Sequence, residues 1–96
     1  MREQDVALLR DTLRRHLPAG VKAFVFGSRA RGSARPYSDL DLALEWGRPL
    51  GLDIIAELAE ALSESDLPYK VDIIDLAIVE PSFAHRIERD AVPMLF

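Results

Sequence analysis

The sequence predicts an α/β (α+β) fold, a small mixed sheet with helices packed on one face. Three observations predict it. Segments whose apolar residues recur at helical spacing interleave with short strand-like runs, in the order helix, strand, strand, helix, strand, helix. Residues 38–44 read Ser-Asp-Leu-Asp-Leu-Ala-Leu, and period two sends Leu40, Leu42 and Leu44 to one side and Asp39, Asp41 and Ala43 to the other. Finally, 96 residues, 49% of them hydrophobic, suit one domain, residues 1–96, with a single modest core. The sequence contains no cysteine, which excludes disulfides, thiolate zinc sites and cysteine nucleophiles.

Residues 2–17 place Val6, Leu9, Leu13 and Leu17 on one helical stripe, and Pro18-Ala19-Gly20 stops that helix. Val21-Lys22-Ala23-Phe24-Val25-Phe26 is short, aromatic and β-branched, the composition of a buried strand. A loop over 28–37 leads into the Asp-bearing strand, which runs to about Glu45. That loop is too long for a tight hairpin, so the relative direction of the first two strands is open at this point. Gly47, Pro49 and Gly51 make the next turn, and Leu52, Ile55, Leu58, Ala59 and Leu62 form the stripe of a second long helix. Asp66-Leu67-Pro68 breaks it before a third strand, Tyr69–Leu76. Pro81 suits the first turn of a final helix to about Asp90, with Phe83, Ile87 and Ala91 inward. The apolar tail Val92-Pro93-Met94-Leu95-Phe96 fits an edge strand or a protein interface, because Pro93 is ill suited to a central strand. Such an end favours partner docking or a homo-oligomer.

A net charge of −4 lacks the basic face of a dedicated nucleic-acid binder, so no direct nucleic-acid binding is expected. The charged start precedes no long apolar run; neither a signal peptide nor a membrane span is expected, and cytoplasmic residence is the default. His16 and His85 have no metal-spaced partner and read as surface or packing residues, and Trp46 reads as packing at the sheet edge in preference to stacking on a base.

The chemistry concentrates elsewhere. Ten residues separate Gly27-Ser28 from Asp39-Leu40-Asp41. An isolated Asp-x-Asp is uninformative, but Gly-Ser at one prescribed distance upstream has a chance of only roughly 0.003. Two carboxylates on one strand face raise each other's pKa unless cations lie between them. A small turn next to such a pair suits a site where metal ions hold a nucleoside triphosphate. Arg29, Arg31 and Arg35 crowd the same loop with no acidic residue among them, a patch matched to polyphosphate. A third carboxylate would come from another strand. Val71 and Ile73 have core character, which puts Asp72 on the face of Asp39 and Asp41, whereas Asp75 shares the core parity and suits a capping or loop-tethering role.

Phe26-Gly27-Ser28-Arg29-Ala30-Arg31-Gly32, Ser38-Asp39-Leu40-Asp41-Leu42 and Val71-Asp72-Ile73-Ile74-Asp75-Leu76 together resemble the nucleotidyltransferase superfamily of the polymerase-β type. Within it, nearly the whole chain is similar to the minimal nucleotidyltransferases, which pair as antitoxins with HEPN-domain toxins. The resemblance implies a nucleotidyltransferase core that uses ATP and two Mg²⁺ ions. Asp39 and Asp41 would bridge the metals, and Asp72 would complete the one that activates the attacking hydroxyl. Gly27 and Ser28 would cradle the β- and γ-phosphates, and Arg29 or Arg31 would neutralise developing charge. The implied reaction is AMP transfer to a protein hydroxyl, a tyrosine of the cognate HEPN toxin, which silences its ribonuclease activity. Two other functions are compatible: an antitoxin that occludes its partner without catalysis, and transfer to a small acceptor held between subunits. The helical domain that follows the core in aminoglycoside-modifying and tRNA-tailing relatives has no counterpart in this sequence.

Overall fold

A computed structural model describes residues 1–32, 35 and 38–96. Four positions in the loop over 28–37, residues 33, 34, 36 and 37, lie outside the described residues. The described residues form four helices and four strands: α1 (Glu3–His16), β1 (Lys22–Phe26), α2 (Ser28–Arg31), β2 (Leu40–Glu45), α3 (Leu52–Ser63), β3 (Val71–Asp75), α4 (Pro81–Asp90) and β4 (Val92–Met94). The strands make one mixed sheet in the order β3-β2-β1-β4. β1 runs antiparallel to β2 and to β4, and β2 runs parallel to β3. That parallel pair needs a crossover, and α3 supplies it.

Strand parity builds the core. Ala23 and Val25 of β1 and Leu40, Leu42 and Leu44 of β2 join Leu9 and Leu13 of α1 and Leu58 and Leu62 of α3 in one buried cluster. The three β2 leucines are wholly buried, each contributing about 1.5–3 kcal/mol by removal from water. The other face of the sheet carries Phe24, Phe26, Asp41 and Asp72. α4 stands apart from the two long helices: its Ile87 is buried outside the main cluster and lines a cleft with Phe26.

The expected elements all form, with three local differences. α2 occupies residues expected to be loop, and its first turn closes with Arg31 N–H donating to the Gly27 carbonyl at 3.1 Å. On α3, Leu52 is 83% exposed and Ala59 of the expected stripe is exposed too, while Ile54 joins Ile55 in the packing. The reason for Leu52 lies two residues upstream, ahead of the helix, where Leu50, 5% exposed, takes the buried place and its N–H donates to the Asp75 carboxylate at 2.9 Å. Phe83 on α4 is 39% exposed rather than inward. The apolar tail forms the edge strand β4, with Pro93 opposite Phe24.

Candidate active site

The end of β1 and the starts of β2 and β3 meet at one end of the open face. Antiparallel register places Phe26 opposite Asp41, and parallel register places Asp41 opposite Asp72. Phe26, Asp41 and Asp72 therefore form one row across three strands. Asp39 has the same parity and lies just ahead of β2, where it is exposed. The residues singled out on three separate segments of the sequence thus share one surface.

β1 ends in a turn that only glycine fits. Gly27 has φ 74° and ψ −152°, a conformation L side chains rarely adopt, and a Cβ there would collide with the Asp41 carboxylate. The main chain of the turn is thereby held against Asp41, and Ser28 opens α2 directly after it.

Burial pushes the Asp41 carboxyl above the ordinary carboxylate range. The charges of Asp72 and then Asp39 add to that rise, and Arg31 opposes it. Asp72 is ion-paired with Lys70, Oδ1 to Nζ 3.3 Å. Among the described residues no three acidic or histidine side chains form a ready-made metal cage. The three aspartates share a face rather than a shell, which is the arrangement mutual repulsion and the Lys70 contact favour. Their chemistry nevertheless fits a hard cation: all the donors are carboxylate oxygens, and Asp41 carries the excess negative potential that such an ion relieves.

The arginines divide. The Arg29 Nε and Nη2 groups donate to the Ser38 carbonyl at 3.1 and 2.6 Å, and its guanidinium lies 3.9 Å from the centroid of the Tyr69 ring. Arg31 reaches Asp90 of α4, Nη1 to Oδ2 3.2 Å, in an exposed pair of the kind that contributes little. It flanks a cleft of about 280 Å³ between the end of β1 and α4, where Arg86 and Arg89 also stand. The Arg35 N–H donates to Ser38 Oγ at 2.9 Å, which shapes the chain ahead of Asp39.

Asp75 stays on the core side. It is 6% exposed, lies opposite Leu44, and accepts from the N–H groups of Leu50 and Ala77 at 2.9 and 3.0 Å. Trp46 packs just past the end of the interior strand β2, not at a sheet edge, beside the segment leading into β1, its Nε1 donating to the Ala19 carbonyl at 3.1 Å. Sequence reasoning did not single out Lys70, the ring of Tyr69 or the basic face of α4. The closely spaced Arg86 and Arg89 were the one available signal for the last of these.

The polymerase beta nucleotidyltransferase family matches residues 9–95. A curated relative, the probable protein adenylyltransferase MntA of Haemophilus influenzae, is 37% identical over 89 residues, covering 93% of this chain and 77% of its own length. Two solved structures share the fold. A toxin–antitoxin complex with AMP-PNP superposes with a TM-score of 0.78 at 24% identity, over 93% of this chain and 71% of that one. An MNT antitoxin bound to a tri-AMPylated HEPN toxin of Shewanella oneidensis does so with a TM-score of 0.74 at 22% identity, over 98% and 71%. No helix among the described residues is long and apolar enough to cross a membrane.

Proposed function

The chain belongs to the polymerase beta nucleotidyltransferase family, and from that premise we propose that it is an antitoxin that transfers AMP from ATP to a hydroxyl of a HEPN-type toxin. The acceptor class in this reading is tyrosine, and ATP supply suits a cytoplasmic setting. The observation that carries the proposal is the register: Asp41 stands opposite Asp72 on the open face, with the Gly27 main chain held against Asp41.

Each residue has a part in that reaction. Gly27 brings the backbone close enough for N–H groups to meet phosphate oxygens, and Ser28 adds a hydroxyl donor. Arg31 neutralises charge on the phosphates as it leaves its exposed pair with Asp90. Asp39, Asp41 and Asp72 would hold Mg²⁺, which supplies charge stabilisation to the phosphates and the departing pyrophosphate. The acceptor oxygen forms its ester bond to the α-phosphorus as the bond to pyrophosphate breaks. Acceptor hydroxyl plus ATP thus gives the AMP ester, pyrophosphate and one proton.

Incubation with ATP, Mg²⁺ and a HEPN-type partner is expected to add AMP-sized masses to the partner, and Asp39→Asn or Asp41→Asn to abolish them. An unmodified partner overturns the proposal. The Lys70–Asp72 ion pair is the observation that favours a second reading, occlusion without catalysis. Under that reading the Asp39 and Asp41 variants would still protect cells from the toxin.

A further inference from the structure

We propose that Arg29 is a positioning residue, a strut that fixes the segment delivering Asp39, rather than a phosphate ligand. The inference deepens the AMP-transfer reading and rests on it for its kinetic half. Asp39 precedes the first residue of β2, so the sheet ladder does not itself hold it. The nearest fixed point downstream is Leu40, whose N–H donates to the Lys70 carbonyl at 2.8 Å. The fixed point upstream is the Ser38 carbonyl, which accepts both Nε and Nη2 of Arg29. Asp39 is thus suspended between a backbone bond and a guanidinium fork.

The same guanidinium lies over the ring of Tyr69, the residue directly before Lys70. One side chain therefore joins three segments: α2, which follows Gly27; the run into β2, which carries Asp39; and the run into β3, which carries Asp72. A charged planar fork that bonds edge-on and stacks face-on can do this, and an ammonium cannot. Tyr69 contributes its ring. It is 9% exposed, and its buried hydroxyl finds no partner among the described residues.

A phosphate ligand and a strut differ in what they control. Losing the first weakens nucleotide binding directly; losing the second leaves the direct phosphate contacts in place and misplaces a metal-holding carboxylate. The test uses the full chain with its acceptor partner. Arg29→Met keeps an extended apolar body over Tyr69 without donors, and Arg29→Lys keeps the charge without the fork. Both are expected to lower kcat, Arg29→Met by about 10- to 100-fold, with KM for ATP changed by less than about threefold. In the free protein, amide exchange over 38–41 is expected to accelerate by roughly tenfold or more in Arg29→Met. Tyr69→Phe should keep slow exchange there, and Tyr69→Leu should lose it. A rise in the KM for ATP of tenfold or more with kcat retained overturns the proposal in favour of a phosphate ligand. Unchanged exchange over 38–41 overturns it as well. Should Arg29→Met fail to fold, the Tyr69→Phe and Tyr69→Leu pair decides on the same readout. A wild-type chain that transfers no AMP defeats the enzymatic reading separately, and the exchange result then still decides whether the strut exists.

Discussion

Replacing Gly27 by alanine tests the closest approach in the site. The substitution adds one methyl group where φ is 74° and ψ −152°, and that methyl group would meet the Asp41 carboxylate. An L residue held in this region costs about 1–3 kcal/mol. For a domain of this length that lowers the melting temperature by roughly 5–20 °C. Relief of the collision must come from the turn or from Asp41, and either movement separates the N–H groups of the turn from the carboxylate. A displacement of about 1 Å costs on the order of 100-fold in rate. Thermal melting and AMP transfer measure the two effects. A double-mutant cycle separates them, because in an Asp41→Ala background the methyl group meets a smaller neighbour and only the backbone cost remains. Gly27→Ala should therefore destabilise less in that background than in the wild type. Additive costs, or a Gly27→Ala protein melting within a degree of wild type with full transfer, would refute the claim that this glycine is fixed by Asp41.

Two further predictions concern Asp41 itself and Asp75. Asp41 has a raised pKa, so its ionised form is disfavoured in the folded state, and stability falls as pH rises through that raised value. Asp41→Asn should stabilise the free protein at neutral pH by a few tenths to about 1 kcal/mol, or roughly 2–6 °C. The gain should vanish below the ordinary carboxylate pKa of about 3.9, and melts across that range check it. Asp75→Ala removes the acceptor for Leu50 and Ala77 N–H and should cost about 2–4 kcal/mol, read as a lowered denaturant midpoint.

Much of the site was legible because strand parity is a rigid rule. Alternation through residues 38–44 assigned Asp39 and Asp41 to the side away from the leucines, and the same count on the third strand selected Asp72 over Asp75. What alternation cannot provide is register, and it is register that sets Asp41 opposite Asp72 rather than a neighbour. α2 escaped notice because its four residues, Ser-Arg-Ala-Arg, carry no apolar period. The exposure of Leu52 was likewise invisible, since it follows from a bond between Leu50 and an aspartate 25 residues away. The surroundings of Arg29 were hidden for a related reason. Its charge and its place in the motif suggest phosphate, but its partners, Ser38 and Tyr69, are brought to it only by the folded sheet.

The short strand β4 has a consequence for assembly. It closes one margin of the sheet with three residues, and the central one, Pro93, has no N–H to offer. Another chain seeking to extend the sheet there would find too few backbone groups to pair with. At the opposite margin, β3 carries Asp72 with Lys70 just before it, charges that deter strand addition. Both margins thus resist a fifth strand. Growth of the sheet by edge pairing is thereby disfavoured at β4 and at β3 alike.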